Sequence, residues 1–209
     1  MLLESQRREI IDHCLKMAAE DLTVGTSGNI SVRVGDLVAI TPSGVDYDVL
    51  TPEMITVIDL DGTVVEGERK PSTEVPMHLL VYRETDATAV IHTHPVYATV
   101  VSTLVDETPC IHYMLALHGG PVRVAPYAPF GSDELAEHVR TAMVDRHAVL
   151  MQNHGATTWG DSLHSAFSRS LYLEWVCRVW VTARQIGDPR ILSADEMGVV
   201  MGKLGSYGK

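Results

Sequence analysis

The sequence is short of positive charge: 16 Lys and Arg face 27 Asp and Glu, for a net charge of −11 at pH 7. Nucleic acid and anionic membrane are bound through clustered cations, so neither is expected as a partner. Cysteine is scarce as well. Cys14, Cys110 and Cys177 are odd in number, far apart and form no CxxC pair, which points to buried thiols in a reducing, cytoplasmic compartment. No secretory leader is expected, because Glu4, Arg7, Arg8 and Glu9 fall where its apolar stretch would stand. Long apolar runs are missing too. Ala87 to Val105 carries no charge over 19 residues, but His92, His94, Pro95 and four threonines make it a strand followed by a helix rather than a membrane span. Lysines are few, and only Lys70 stands near a motif, so Schiff-base chemistry is not called for. Linkers, repeats and low-complexity segments are absent.

What is there suits a globular fold. With 209 residues, 45% hydrophobic and 21% charged, the chain is expected to form a single domain over residues 1–209 with a full core of its own. Ile10, Ile11, Cys14, Leu15, Ala18 and Leu22 share one side of a helix over residues 5–22. The period then changes to two. Ile30–Val34 and Leu37–Ile40 flank Gly35–Asp36, a two-residue hairpin turn. Ile55–Ile58, Val64–Val65, Val90–His92, Val122–Ala125, Ala148–Met151 and Ala156–Trp159 read as further strands. Helices are expected over 74–83, 95–104, from Ser132 to Met143, from Asp161 or Ser162 to about Gln185, and from Ser193, where Glu196 completes a capping box. Short turns imply antiparallel neighbours. The expected fold class is α/β, a mainly antiparallel sheet layered between helices.

Three groups of residues can carry chemistry. In His92-Thr93-His94 the two imidazoles share one face of a strand, and Pro95 ends that strand at a rim. Ten histidines in this length give roughly 0.5 such pairs by chance, so the spacing alone is weak. His154 also ends an apolar strand, in Gln152-Asn153-His154-Gly155. Three histidines with one open position suit catalytic zinc, and iron or manganese also take imidazole. His78, one helical turn after Glu74, is the one other histidine that draws notice. The second group is three polar turns: Gly25-Thr26-Ser27-Gly28-Asn29, Thr41-Pro42-Ser43-Gly44 and Pro71-Ser72-Thr73-Glu74. Their backbone N–H groups and hydroxyls could hold a phosphate without a lysine cluster. The third is Glu74 itself, either a helix-end carboxylate matched to the dipole or a general base beside a metal. Tyr113, in the apolar run Ile111-His112-Tyr113-Met114, reads on its own as a core tyrosine.

Taken in order, Gly28-Asn29-Ile30-Ser31, Thr41-Pro42-Ser43-Gly44, Lys70-Pro71-Ser72-Thr73-Glu74, His92-Thr93-His94-Pro95 and Asn153-His154-Gly155 resemble the class II aldolase/adducin family. Ile111-His112-Tyr113-Met114, Ala125-Pro126-Tyr127-Ala128 and the tail from Leu192 through Tyr207 are similar to its sugar-phosphate aldolase branch. The resemblance implies zinc on His92, His94 and His154, with Glu74 as a further ligand in the empty enzyme and as the base when substrate displaces it. It implies that Gly28, Asn29, Ser43, Gly44, Ser72 and Thr73 hold the substrate phosphate. It implies a homotetramer with sites at subunit interfaces, in which Tyr113 reaches a neighbour's site as proton donor and Tyr207 helps close it. The implied reaction is cleavage of a ketose 1-phosphate of the L-fuculose type to dihydroxyacetone phosphate and a short aldehyde such as L-lactaldehyde. The same metal and phosphate residues would also serve a pentulose-phosphate 4-epimerase, a sugar-acid phosphate decarboxylase or a thioribulose-phosphate dehydratase. A non-catalytic adducin-type module would lack the ligands. A zinc hydrolase would release no aldehyde.

Overall fold

The computed structural model describes residues 1–204; Tyr207, at the end of the tail motif, lies outside the described residues. In chain order the elements are α1 (Glu4–Ala19), β1 (Asn29–Val34), β2 (Leu37–Ile40), β3 (Thr56–Asp59), β4 (Val64–Glu66), α2 (Val75–Glu84), β5 (Ala89–Thr93), α3 (Val96–Ser102), β6 (Val124–Ala125), α4 (Asp133–Ala142), β7 (Ala148–Met151), β8 (Gly155–Gly160), α5 (Leu163–Ile186) and α6 (Ala194–Leu204). The strands form one eight-stranded sheet in the order β4-β3-β2-β1-β5-β8-β7-β6. Every pairing is antiparallel except β6 with β7. The expected α/β class and mainly antiparallel sheet are what the chain forms.

Alternation along the strands gives this sheet two apolar faces. Val38 and Ile40 of β2 and Val90 of β5 point to the side covered by α2 and α4. Ala39, Ala89 and Ile91 point to the opposite side, against α1 and α5. Near the β7 edge that second side is covered by α3 and the C-terminal half of α5, which pack on Ala148, Leu150 and Ala156. Successive residues of these strands enter opposite buried layers, so the strands read as near-continuous apolar runs such as Leu37–Ile40 and Ala148–Met151.

Several boundaries differ from the sequence expectation. α1 stops at Ala19 rather than Leu22. Asp21 adopts a left-handed φ of 55°, which ends the helix and turns the chain so that Leu22 O accepts from His94 N at 2.8 Å. β6 is only two residues long, shorter than Val122–Ala125. Tyr113–His118 forms a short 3-10 segment, where no element was expected. Cys14 and Cys177 are buried thiols as expected, but Cys110 is only half-buried. No helix among the described residues is long and apolar enough to cross a membrane.

Candidate active site

The sheet register assembles the site. β1 pairs β5 with Asn29 opposite His92, and β5 pairs β8 with Thr93 opposite Ala156. The turn between β7 and β8, which carries His154, therefore lies at the same sheet end as His94. Asn153, with a φ of 56°, makes that turn left-handed, a conformation asparagine tolerates. Gly155 has another reason to be glycine: a Cβ there would lie 2.2 Å from the Thr93 carbonyl oxygen. Just beyond His94, the Glu174 carboxylate of α5 accepts from the backbone N–H groups of Tyr97 (2.9 Å) and Ala98 (2.7 Å) and caps α3. The His94-Pro95 corner is thus fixed from both sides.

Glu74 occupies the N-cap of α2, but its side chain caps nothing there. It turns inward instead. Oε2 lies 3.1 Å from His92 Nε2, and Oε1 lies 3.5 Å from His154 Nε2. His92 and His94 Nε2 are 2.8 Å apart. One donor atom from each of Glu74, His92, His94 and His154 falls within 4.8 Å of all the others. A metal bound at 2.0–2.1 Å in tetrahedral geometry separates its ligand atoms by about 3.3 Å, so these spacings fit a metal ion.

The chemistry of the donors fits as well. His92 Nδ1 donates to the Ala156 carbonyl at 2.9 Å, which leaves Nε2 as a lone pair aimed at the other donors. Burial, with the neighbouring imidazoles His92 and His154, pushes His94 down to about 3. Burial, with His92, pushes His154 down to about 4. Both rings are neutral at pH 7, as ligands must be. Burial alone would raise the pKa of Glu74, but facing His92 and the Asn29 amide outweigh it and hold the carboxyl well below its usual range. Glu74 Oε1 is buried and has no hydrogen-bond partner. An unpartnered carboxylate oxygen among three imidazoles is a donor set that fits a cation.

The three polar turns converge on this cluster. Pro42 bridges Pro71, Ser43 N donates to Lys70 O at 3.0 Å, and Ser72 N donates to Thr41 O at 3.0 Å. Those bonds fasten two of the turns to each other. Gly28, Asn29, Ser43, Gly44, Ser72 and Thr73 all line one cavity of about 350 Å³ together with Glu74, His94 and His154. His92 is fully buried beneath it. Gly28 sits where a Cβ would be 2.8 Å from the His92 carbonyl oxygen, at a φ of +84°.

Tyr113 is not brought to this cavity. It is 46% exposed and lines a separate cavity of about 1080 Å³ with Val96, Tyr97, Tyr172 and Trp175. Two aromatic residues do reach the site: Tyr127 and Phe130, both exposed, form part of the wall. Phe130 was not singled out by the sequence reading. Its signal is a lone aromatic between Pro129 and Gly131; Gly131, at φ +71°, lies so close to Thr73 that a Cβ would be 2.7 Å from its carbonyl oxygen.

Residues 8–181 match the family model described as the Class II Aldolase and Adducin N-terminal domain. The chain belongs to that family. Across its full length it is 42% identical to the 5-deoxy-D-ribulose 1-phosphate aldolase of Bacillus thuringiensis serovar kurstaki, covering 100% of both proteins. It is also 42% identical to the L-fuculose phosphate aldolase of Escherichia coli, covering 96% of this chain and 94% of that protein. Among solved structures, an L-fuculose 1-phosphate aldolase superimposes with a TM-score of 0.93 at 41% identity, covering 96% of each chain. This member of the class II aldolase family is an enzyme, a metal-dependent lyase, and its Glu74 and three histidines form a cluster able to bind the metal.

Proposed function

We propose that the chain is a zinc-dependent aldolase. Its substrate is a deoxyketose 1-phosphate, cleaved between C3 and C4 to dihydroxyacetone phosphate and a short aldehyde. The observation that carries this reading is one cavity with the Glu74, His92, His94 and His154 donors at its floor and three polar turns around it. The relatives favour a sugar phosphate with a methyl end, because 5-deoxyribulose and fuculose phosphates share that feature. Tyr127 and Phe130 offer an apolar wall for the methyl group.

In this reading His92, His94 and His154 would hold zinc, with Glu74 a fourth donor until substrate displaces it, and the metal would supply Lewis-acid polarisation of the substrate's carbonyl oxygen. The Ser43, Ser72 and Thr73 hydroxyls, the Asn29 amide and the N–H groups of Gly28 and Gly44 hold the phosphate. Such a neutral cradle suits a chain with a net charge of −11. Glu74 moves the proton at the carbon beside the ketone. In cleavage, Tyr113 of the partner subunit takes the proton of the C4 hydroxyl as the C3–C4 bond breaks and the aldehyde forms; in condensation it returns that proton to the aldehyde oxygen. Its exposure, in a cavity away from its own chain's cluster, supports a homotetramer with shared sites. Residues 1–209 act as one domain, in the cytoplasm, with neither nucleic acid nor membrane as partner.

The test is a panel of ketose 1-phosphates, including L-fuculose 1-phosphate and 5-deoxyribulose 1-phosphate, assayed for dihydroxyacetone phosphate. Release from at least one deoxyketose is expected. Isomerised sugar phosphate without aldehyde would instead show an epimerase on the same fold.

A further inference from the structure

A ladder of buried polar side chains joins β1 to α2, away from any phosphate. On β1, Asn29, Ser31 and Arg33 alternate toward α2, while Ile30 and Val32 face the opposite core. On α2, Glu74, His78 and Tyr82 recur every four residues along the facing stripe. The two periods mesh. Asn29 Nδ2 donates to Glu74 Oε2 at 2.8 Å, and Asn29 Oδ1 meets His78 Nε2. His78 Nδ1 meets Ser31 Oγ at 2.7 Å, and Ser31 Oγ meets Tyr82 Oη at 2.7 Å. Arg33 donates to the Tyr82 carbonyl at 2.9 Å.

The direction of every bond in the chain follows from its end. An ionised carboxylate only accepts, so Asn29 turns its NH₂ to Glu74 and its carbonyl oxygen to His78. His78 Nε2 must then donate. A neutral imidazole has one N–H, so Nδ1 accepts the Ser31 hydroxyl proton, and Ser31 in turn accepts from the Tyr82 hydroxyl. His78 is fully buried and its two ring nitrogens face an amide oxygen and a hydroxyl rather than a carboxylate, so the neutral ring is the form that this ladder accommodates. A different tautomer would set two acceptors against each other at Asn29 Oδ1.

We propose that His78 is a positioning residue: as the Nε2–H tautomer it locks the Asn29 amide with its NH₂ toward Glu74, and so holds the Glu74 carboxylate beside His92 and His154. The proposal rests on the reading of Glu74 as metal ligand and base. It also gives Asn29 a task besides the phosphate: one amide hydrogen orients Glu74 and the other remains for the substrate.

The experiment compares wild type, His78→Leu and His78→Gln. Leucine fills the space without a donor, whereas the glutamine NH₂ can still donate to Asn29 Oδ1. Zinc affinity by competition with a chelator and steady-state kinetics on a ketose 1-phosphate are read on proteins shown folded by thermal melting. Zinc affinity and kcat in His78→Leu are expected to fall about tenfold, the lower end for groups behind a metal ligand. KM should change by less than about threefold, and His78→Gln should recover most of the loss. A role in stability alone would lower the melting temperature and leave both readouts in place, which overturns the proposal. If His78→Leu does not fold, 15N NMR of histidine-labelled wild type decides. One-bond N–H coupling at His78 Nε2 supports the proposal, and coupling at Nδ1 overturns it. If no ketose phosphate is cleaved by wild type, the proposed reaction has failed, while zinc affinity and the tautomer still test His78.

Discussion

Gly155→Ala is a one-carbon change with a calculable result. The added Cβ would meet the Thr93 oxygen at 2.2 Å, the Thr93 carbonyl carbon at 3.3 Å and His94 Cα at 3.4 Å. Even a close C–H···O contact keeps carbon and oxygen about 3.3 Å apart. The two backbones must therefore part by roughly 1 Å, and no side chain can rotate to relieve the overlap. His94 follows Thr93 directly and His154 precedes Gly155, so the displacement falls on two imidazoles of the cluster. Metal–ligand distances tolerate only about 0.2 Å. We expect zinc affinity to fall about 100-fold or more, and turnover to fall about 10²-fold, the scale of a 1 Å misplacement. Overpacking should add about 1–3 kcal/mol of destabilisation, a drop in Tm of roughly 3–10 °C for a chain of this size. Zinc per chain after dialysis against graded chelator, with melts in parallel, measures both. Gly187→Ala is the control, because nothing lies within 4 Å of a Cβ there. A Gly155→Ala protein that melts lower yet keeps wild-type zinc affinity would refute the reasoning, since the strain would then have relaxed away from the histidines.

Glu74→Gln should lower turnover by about 10²–10⁴, the scale of a general base; at saturating zinc the metal content changes little because three imidazoles remain, while affinity falls at least as far as in His78→Leu, and near-normal turnover would return Glu74 to a helix-end carboxylate. Chelation should abolish cleavage and added zinc restore it, and full activity of metal-free protein would remove the metal from the reaction. His118 is fully buried, its Nε2 donates to the Arg169 carbonyl at 2.9 Å, and its Nδ1 has no partner. Burial depresses its pKa to about 4, below the unfolded value, so its contribution is complete above about pH 6.5 and is lost as pH falls toward 4. Between pH 7 and 5 that amounts to about 2 kcal/mol, and denaturant titrations of wild type and His118→Gln should differ by this much in their pH dependence.

Local signals were legible in the sequence. Gly35-Asp36 makes the predicted hairpin, with Val34 paired to Leu37. Ser132 Oγ accepts from Leu135 N at 3.1 Å, and Ser193 exchanges bonds with Glu196 as a capping box. These depend on neighbours three residues away or fewer. The histidine pair was legible because strand alternation alone puts His92 and His94 on one face. What could not be read was set by distant partners. Asn29 reads as one residue of a polar turn; its bonds to Glu74 and His78 span 45 and 49 residues. Gly155 reads as a turn glycine, but the turn belongs to Asn153, and Gly155 is needed by a carbonyl on another strand. Tyr113 reads as a core residue by composition and is half exposed, because the 3-10 segment that carries it leaves its ring at the surface.

The β1–α2 interface breaks the pattern that builds the rest of the molecule. Elsewhere the central strands bury mainly apolar side chains, with threonines and His92 as exceptions, and a strand between two layers should be apolar throughout. Here three alternate residues of β1 are polar, and two of them, Asn29 and Ser31, are buried. Burying such groups is costly unless each finds a partner. Along this ladder the partners are found: amide, imidazole, hydroxyl and phenol are each satisfied in turn. The account fails to close at one atom only, Glu74 Oε1, which faces His154 across the donor cluster. A ladder built for stability alone would be expected to end in a hydrogen bond. This one ends at a carboxylate oxygen that faces imidazole nitrogens, the setting of a metal ligand, and the proposal for His78 follows from that difference.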